Sequence, residues 1–317
     1  MTTWTSWHLH LASGERSPGD RVVTDVVGPA MAEVPSGSWF FMRYWQGGPH
    51  IRLRVRDLNA GAAAALTRTL EQRLAVAGTL LPGEKPLDPD RFAVQSRRLA
   101  TAGEGGVPVE ERDLLPPGVY ESVYVPEYER YGGPSLMAAS EDLFGTSSEL
   151  CLAFLRTRPS DRARTALALR ATAVAASVLD APAFTAFGAT SWNDWAARAG
   201  YPATALGALE EECALAADRL TAGGHDLLAQ ATIAPGPLRG WRAALSEAVR
   251  HRLGPEQAYT ARIVFSHVHM LHNRLGLSTL DELRSYRLLA RQAGPEGATF
   301  PTLSTLPTPL PTAARTA

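Results

Sequence analysis

Only one lysine, Lys85, stands among 31 basic residues; every other cation is an arginine. Chemistry that runs through a lysine Schiff base is therefore not expected. The chain has two cysteines, Cys151 and Cys213, far apart and without CxxC spacing, which argues against a disulfide framework or a thiolate zinc site. Both sit in apolar helical context and read as small buried hydrophobes. The formal net charge of -1 leaves no global field to hold a polyanion, so direct nucleic-acid binding is not expected. No apolar run is long enough to span a bilayer, and no basic segment followed by an apolar one opens the chain. Those absences lead to the expectation of a cytoplasmic protein with no membrane partner. At 317 residues, 45% hydrophobic and 20% charged, the composition is that of a folded protein.

What is present is concentrated in three segments. The first, 39–56, reads WFFMRYWQGGPHIRLRVR. It predicts an apolar strand, a Gly-Gly-Pro turn and a second strand with arginine at alternate positions. Strand side chains alternate between faces, so Arg52, Arg54 and Arg56 share one face while Ile51, Leu53 and Val55 take the other. Three cations side by side repel, and they need water or an anion between them. An anion-binding or charge-stabilising site follows as the expectation.

The second segment, 124–134, reads YVPEYERYGGP. A strand end delivers Glu127, Glu129 and Arg130 to a Gly-Gly turn, and Pro134 opens a helix where proline is tolerated. This is a common setting for functional groups, and equally a surface turn with an internal Glu–Arg pair. The third, 266–276, reads SHVHMLHNRLG. Helical periodicity puts His269 beside His272 and near Asn273, with His267 facing elsewhere. A metal held by the HxHxxH spacing, a general acid or base, and a packed hydrogen-bonded cluster all remain open, although no carboxylate is placed beside these histidines in the sequence. Gly276 suits the end of that helix, and Ser278 or Thr279 the start of the next.

Along the chain, strands are predicted at Trp4–Leu11, on both sides of Gly47-Gly48, and at Val119–Tyr128. Helices are predicted at Asp20–Ala32, Gly61–Ala77, Pro134–Arg156, Ser160–Val178, Ala203–Ala222, Leu238–Leu253, Glu256–Asn273 and Ser278–Gln292. Residues 83–117, rich in Pro, Gly and charge, predict a loop region with at most one short strand. The expected fold class is α+β, a mixed sheet from the first third packed against helices from the rest. One domain is expected over 1–293, followed by a disordered Pro/Thr-rich tail over 294–317.

The three motifs in this order, followed by an acidic helix, resemble the C-terminal, glutamate-elimination domain of lantibiotic dehydratases, also known as the thiopeptide-type bacteriocin biosynthesis domain. The resemblance spans Trp4 to Gln292. A large N-terminal glutamylating domain that uses glutamyl-tRNA is not seen, so the chain looks like the stand-alone version of split dehydratases and thiopeptide pathways. The Gln46-Gly47-Gly48-Pro49 turn departs from the more usual acidic Asp-Pro type.

The resemblance implies an enzyme acting on a precursor peptide with a leader, with neither metal nor organic cofactor. One implied chemistry is β-elimination of glutamate from Ser or Thr esters made by a separate glutamyl-tRNA-dependent glutamylating enzyme, giving dehydroalanine or dehydrobutyrine. On that reading Arg54, Arg130 and His269 are catalytic, with His269 the proton-transfer group, while Arg52, His50, Glu127, Asn273 and Arg274 bind substrate. All should converge on one cleft. The alternative is a pyridine synthase, joining two dehydroalanines by a formal aza-[4+2] cycloaddition with release of the leader. That reaction has no glutamate to bind and makes no demand for paired arginines. A third reading, from another class, is a non-catalytic scaffold that takes a leader peptide as an added strand on a sheet edge.

Overall fold

The computed structural model describes residues 3–34, 38–103, 108–233, 236–251 and 257–294. Strand β1 (Trp4–His10) leads into helix α1 (Arg16–Val22), which continues through a π-helical stretch (Val23–Val27) into α2 (Gly28–Glu33). Strands β2 (Trp39–Tyr44) and β3 (His50–Arg56) form a hairpin, followed by α3 (Ala60–Ala77), α4 (Pro89–Ala102) and β4 (Gly118–Ser122). The rest is helical: α5 (Pro134–Leu155), α6 (Asp161–Ala176), α7 (Ala181–Arg198), α8 (Ala203–Ala222), α9 (Leu227–Ile233), α10 (Leu238–His251), α11 (Gln257–Arg274) and α12 (Thr279–Ala293).

The α+β class holds, but the sheet is not mixed. Its order is β2-β3-β1-β4 and all three pairings are antiparallel. β1 occupies a central position, pairing β3 on one side and β4 on the other. Trp7, Leu9, Ile51, Leu53 and Val55 are buried on one face. There the Trp7 indole N–H donates to the hydroxyl of Thr67 on α3.

β2 is an edge strand, and its outer backbone is closed by helix side chains rather than by another strand. The Phe41 N–H donates to Ser148 Oγ on α5. The Arg43 N–H donates to Asn273 Oδ1, and Asn273 Nδ2 donates back to the Arg43 carbonyl, at 2.8 and 2.9 Å. Asn273 thus stands in for one residue of a neighbouring strand, which removes an exposed edge and locks α11 to the sheet.

The end of α11 is tied down by charge. Gly276 takes φ +70°, and a Cβ there would come within 3.2 Å of the Arg43 guanidinium, so only glycine suits the cap. The last carbonyls of the helix have no intrahelical donors. Arg43 donates to the Arg274 carbonyl and Arg164 to that of Leu275, and Asp20 accepts from both guanidiniums. The next helix starts with a capping box, Ser278 and Asp281 each bonding the other's backbone.

Three further expectations need correction. Within residues 83–117 lies α4, begun by Asp88, whose side chain accepts from the N–H groups of Asp90 and Arg91 with Pro89 in the first turn. The strand expected over Val119–Tyr128 ends at Ser122, leaving Val123 and Val125 exposed. Helices α7 and α9 were not anticipated. The tail beyond Gly294 lies outside the described residues.

Candidate active site

The hairpin builds the cationic face as its alternation requires. The three arginines of β3 are kept apart by aromatic rings: the guanidinium carbon of Arg52 sits 3.4 Å from the centroid of Tyr44, that of Arg54 4.5 Å from Tyr124, and that of Arg56 5.8 Å from Trp4. Ring faces carry negative potential, which offsets part of the mutual repulsion.

Arg54 differs from its neighbours. It is only 7% exposed and forms no ion pair among the described residues. Its Nε has no hydrogen-bond partner there, and Nη1 reaches only the Met42 sulfur. Arg274 is fully buried; Nε donates to Ser148 Oγ, while Nη1 and Nη2 have no partner among the described residues. Burial pulls both guanidiniums down to about 10, which still leaves them charged at neutral pH. A buried cation with free N–H groups is costly.

Arg130 sits in the turn before Gly132 and Gly133, which take φ values of 90° and 89°. It pairs with Glu127 at 3.2 Å and donates through Nε to Ser266 Oγ on α11. Ser266 lies three residues before His269, so the turn is fastened to the helical face that carries the imidazole. Arg54 feels the Glu127 charge as well, which links β3 to the same turn.

The three histidines of α11 go separate ways. His267 meets Ser140 on α5, and His272 meets Thr172 and the Ala168 carbonyl on α6. His269 Nδ1 lies 2.9 Å from Glu282 on α12, with Trp192 at 5.0 Å between ring centroids. They therefore share no centre. The carboxylate missing beside them in sequence is supplied across the turn. Burial pushes Glu282 up to about 8, opposed in part by His272 and Arg130. The Nδ1–Glu282 contact fixes the orientation of the imidazole ring.

His50 is buried at the foot of β3; its Nδ1–H donates to the Gly48 carbonyl, and Arg52 Nε donates to its Nε2. Asn273 has both ends of its amide committed to the backbone of Arg43. Two cavities of about 190 and 200 Å³ lie elsewhere, one between α6, α9 and α10 and one between α4 and residues 111–114. Neither is lined by Arg54, Arg130 or His269.

The turn of unusual composition has a structural reason. Gly47 and Gly48 take φ values of 80° and 111°. A Cβ on Gly47 would meet the Asp113 carbonyl, and one on Gly48 the His10 ring, both at 3.4 Å. Gln46 donates to the Glu110 carbonyl, and the Leu115 N–H donates to that of Gly47. The turn is glycine so that residues 110–115 can strap across it.

Residues 4–293 match the family described as the lantibiotic biosynthesis dehydratase C-terminal domain, and the chain belongs to that family. Membership puts it among proteins of peptide-antibiotic biosynthesis, a family of enzymes that modify ribosomally made peptides. Among solved structures it is similar to the pyridine synthase TbtD from thiomuracin biosynthesis, with a TM-score of 0.69 at 19% identity over 92% of this chain and 97% of that one. It is similar to the tRNA-dependent lantibiotic dehydratase MibB from Microbispora sp. 107891, with a TM-score of 0.51 at 22% identity over 92% of this chain but 28% of that one. It is also similar to TsrL, with a TM-score of 0.56 at 17% identity over 94% and 100% of the two chains. At these identities the likeness is one of fold. A comparison with curated proteins gives no match. Among the described residues no helix is long and apolar enough to cross a membrane.

Proposed function

We propose that this protein removes glutamate from glutamylated Ser or Thr side chains of a precursor peptide, leaving dehydroalanine or dehydrobutyrine. The observation that carries the reading is the pair of buried guanidiniums, Arg54 and Arg274, with N–H groups unpartnered among the described residues. Glutamate brings carboxylates, and a guanidinium fork matches a carboxylate in shape and charge. In the reaction, His269 Nε2 takes the α-proton of the esterified residue. The electron pair of the Cα–H bond becomes the Cα=Cβ bond, the Cβ–O bond breaks, and glutamate leaves as a carboxylate. Arg54 and Arg130 stabilise the charge that develops as the proton leaves. Glu282 holds the imidazole ring by Nδ1 and offsets the charge it acquires. The substrate would come from a separate glutamylating enzyme.

A second reading, pyridine synthase, is favoured by one observation: the likeness to TbtD runs over nearly the whole of both chains. Mass spectrometry separates the two. The protein is incubated with a Ser-glutamylated precursor and, separately, with a fully dehydrated thiazole-containing one. Loss of glutamate from the first, abolished by Arg54→Ala and His269→Ala, is the expected result. Inertness toward the first with leader release and a pyridine macrocycle from the second establishes the other reading.

A further inference from the structure

A second histidine cluster lies on the sheet, away from the helix where the spacing invites a search for metal ligands. Antiparallel register puts His10 of β1 directly opposite His50 of β3, and His8 two residues along β1 on the same face. The rings of His8 and His10 each stack on that of His50, with centroids 4.7 and 4.4 Å away. One ring nitrogen from each of the three residues lies within 4.8 Å of the other two. His10 and His50 are each 2% exposed.

Two further observations point to a ligand. His10 Nδ1 is buried without a hydrogen-bond partner among the described residues, an arrangement that costs free energy unless something fills it. His50 Nδ1–H donates to the Gly48 carbonyl at 2.8 Å, which fixes the tautomer and makes Nε2 the nitrogen that carries the lone pair. That is the backbone support that metal-bound imidazoles ordinarily have. The lone pair is met by Arg52 Nε at 3.2 Å, a long contact from a guanidinium that also stacks on Tyr44.

We propose that His8, His10 and His50 bind one divalent first-row transition cation, with Arg52 moving off the His50 lone pair as it binds. Three neutral nitrogens with no carboxylate among them suit zinc, copper or nickel and disfavour magnesium or calcium. Zn–N bonds of about 2.0–2.1 Å require the three nitrogens to draw together from their present spacing. Three protein ligands leave a fourth position open for water or a substrate oxygen. Arg52, Arg54 and Arg112 all act on His8, so the site is cationic and holds the metal less tightly than a carboxylate-backed one. The proposal is independent of the reaction assigned above.

The test uses full-length protein without a polyhistidine tag. Copper(II) is titrated and followed by electron paramagnetic resonance, and cobalt(II) by visible absorption. The expected result is one equivalent bound, with nitrogen hyperfine structure from imidazoles. Affinity falls at least ~10-fold in His10→Ala and His50→Ala and stays unchanged in His269→Ala. Arg52→Met binds at least as tightly as wild type, because a competing cation has been removed. Wild-type protein that takes up no stoichiometric metal overturns the proposal without recourse to any variant. So does binding that survives His50→Ala, that is lost in His269→Ala, or that weakens in Arg52→Met.

Discussion

His269 Nδ1 lies 2.9 Å from the carboxyl group of Glu282, which is only 1% exposed. A carboxyl so buried holds its proton more tightly than in water, and Glu282 loses that proton only as the pH approaches about 8. On the proposed role of His269, the form that accepts a substrate proton is the one with Glu282 ionised. The elimination rate should therefore rise through weakly alkaline pH. Glu282→Gln should lower the maximal rate at least ~10-fold and remove the rise near pH 8. A pH–rate profile on a glutamylated peptide checks this; a profile unchanged in Glu282→Gln means the pair takes no part in proton transfer.

Stability carries the same signature with a definite sign. Folding raises the Glu282 pKa from 4.5 to about 8. Between those values the native protein keeps a proton that the unfolded chain releases, so this residue makes stability fall as pH rises across that window. Urea unfolding at pH 5 and pH 8.5 should show a larger loss for wild type than for Glu282→Gln.

Arg54 is kept buried at a cost that the fold does not recover in hydrogen bonds. Replacing it with methionine removes that desolvation penalty and keeps the packing against Phe40 and Tyr124. The expected outcome is a split: turnover falls by at least ~100-fold, while stability drops by no more than about 1 kcal/mol or increases. Turnover by mass spectrometry and a thermal melt on the same preparation read the two effects. Turnover that survives would show that Arg54 takes no part in the chemistry.

Asp20 carries the opposite character. It is the shared acceptor for Arg43 and Arg164, which in turn hold the carbonyl end of α11. Asp20→Asn leaves two largely buried guanidiniums short of charge and should cost about 3 kcal/mol of folding stability. Denaturant unfolding measures it. Because α11 carries His269, turnover should fall with it.

Much of this was legible in the sequence, and the illegible parts have particular causes. Alternation in 50–56 placed the arginines on one face, and turn chemistry placed Gly276 and Ser278 at helix ends. Helix α4 was hidden by the Pro- and Gly-rich residues around it, although Asp88-Pro89-Asp90 carried a usable start signal. Helix α7 contains Pro182, Gly188, Thr190 and Asn193, residues of low intrinsic helix propensity, and its formation rests on packing against α12. Glu282 could not be paired with His269 from spacing, because the turn between the helices sets the angle. The same holds for His8, His10 and His50. Each is unremarkable alone, and the cluster exists only because β1 inserts beside β3.

The packing of α7 on α12 gives a last prediction that joins stability to chemistry. Gly188 faces the buried ring of Tyr286, where an added Cβ would come within 2.2 Å of Cδ1. Gly188→Ala must push α12 outward, at a cost of about 1–3 kcal/mol. Tyr286 lies four residues after Glu282, on the same side of the helix, so the displacement also draws the carboxyl away from His269. Turnover should then fall by more than the loss of folded protein explains. Trimming the ring with Tyr286→Leu in the Gly188→Ala background should restore stability and turnover together, as expected for a steric coupling. A double variant that regains stability without turnover would mean that Glu282 does not depend on this contact for its position.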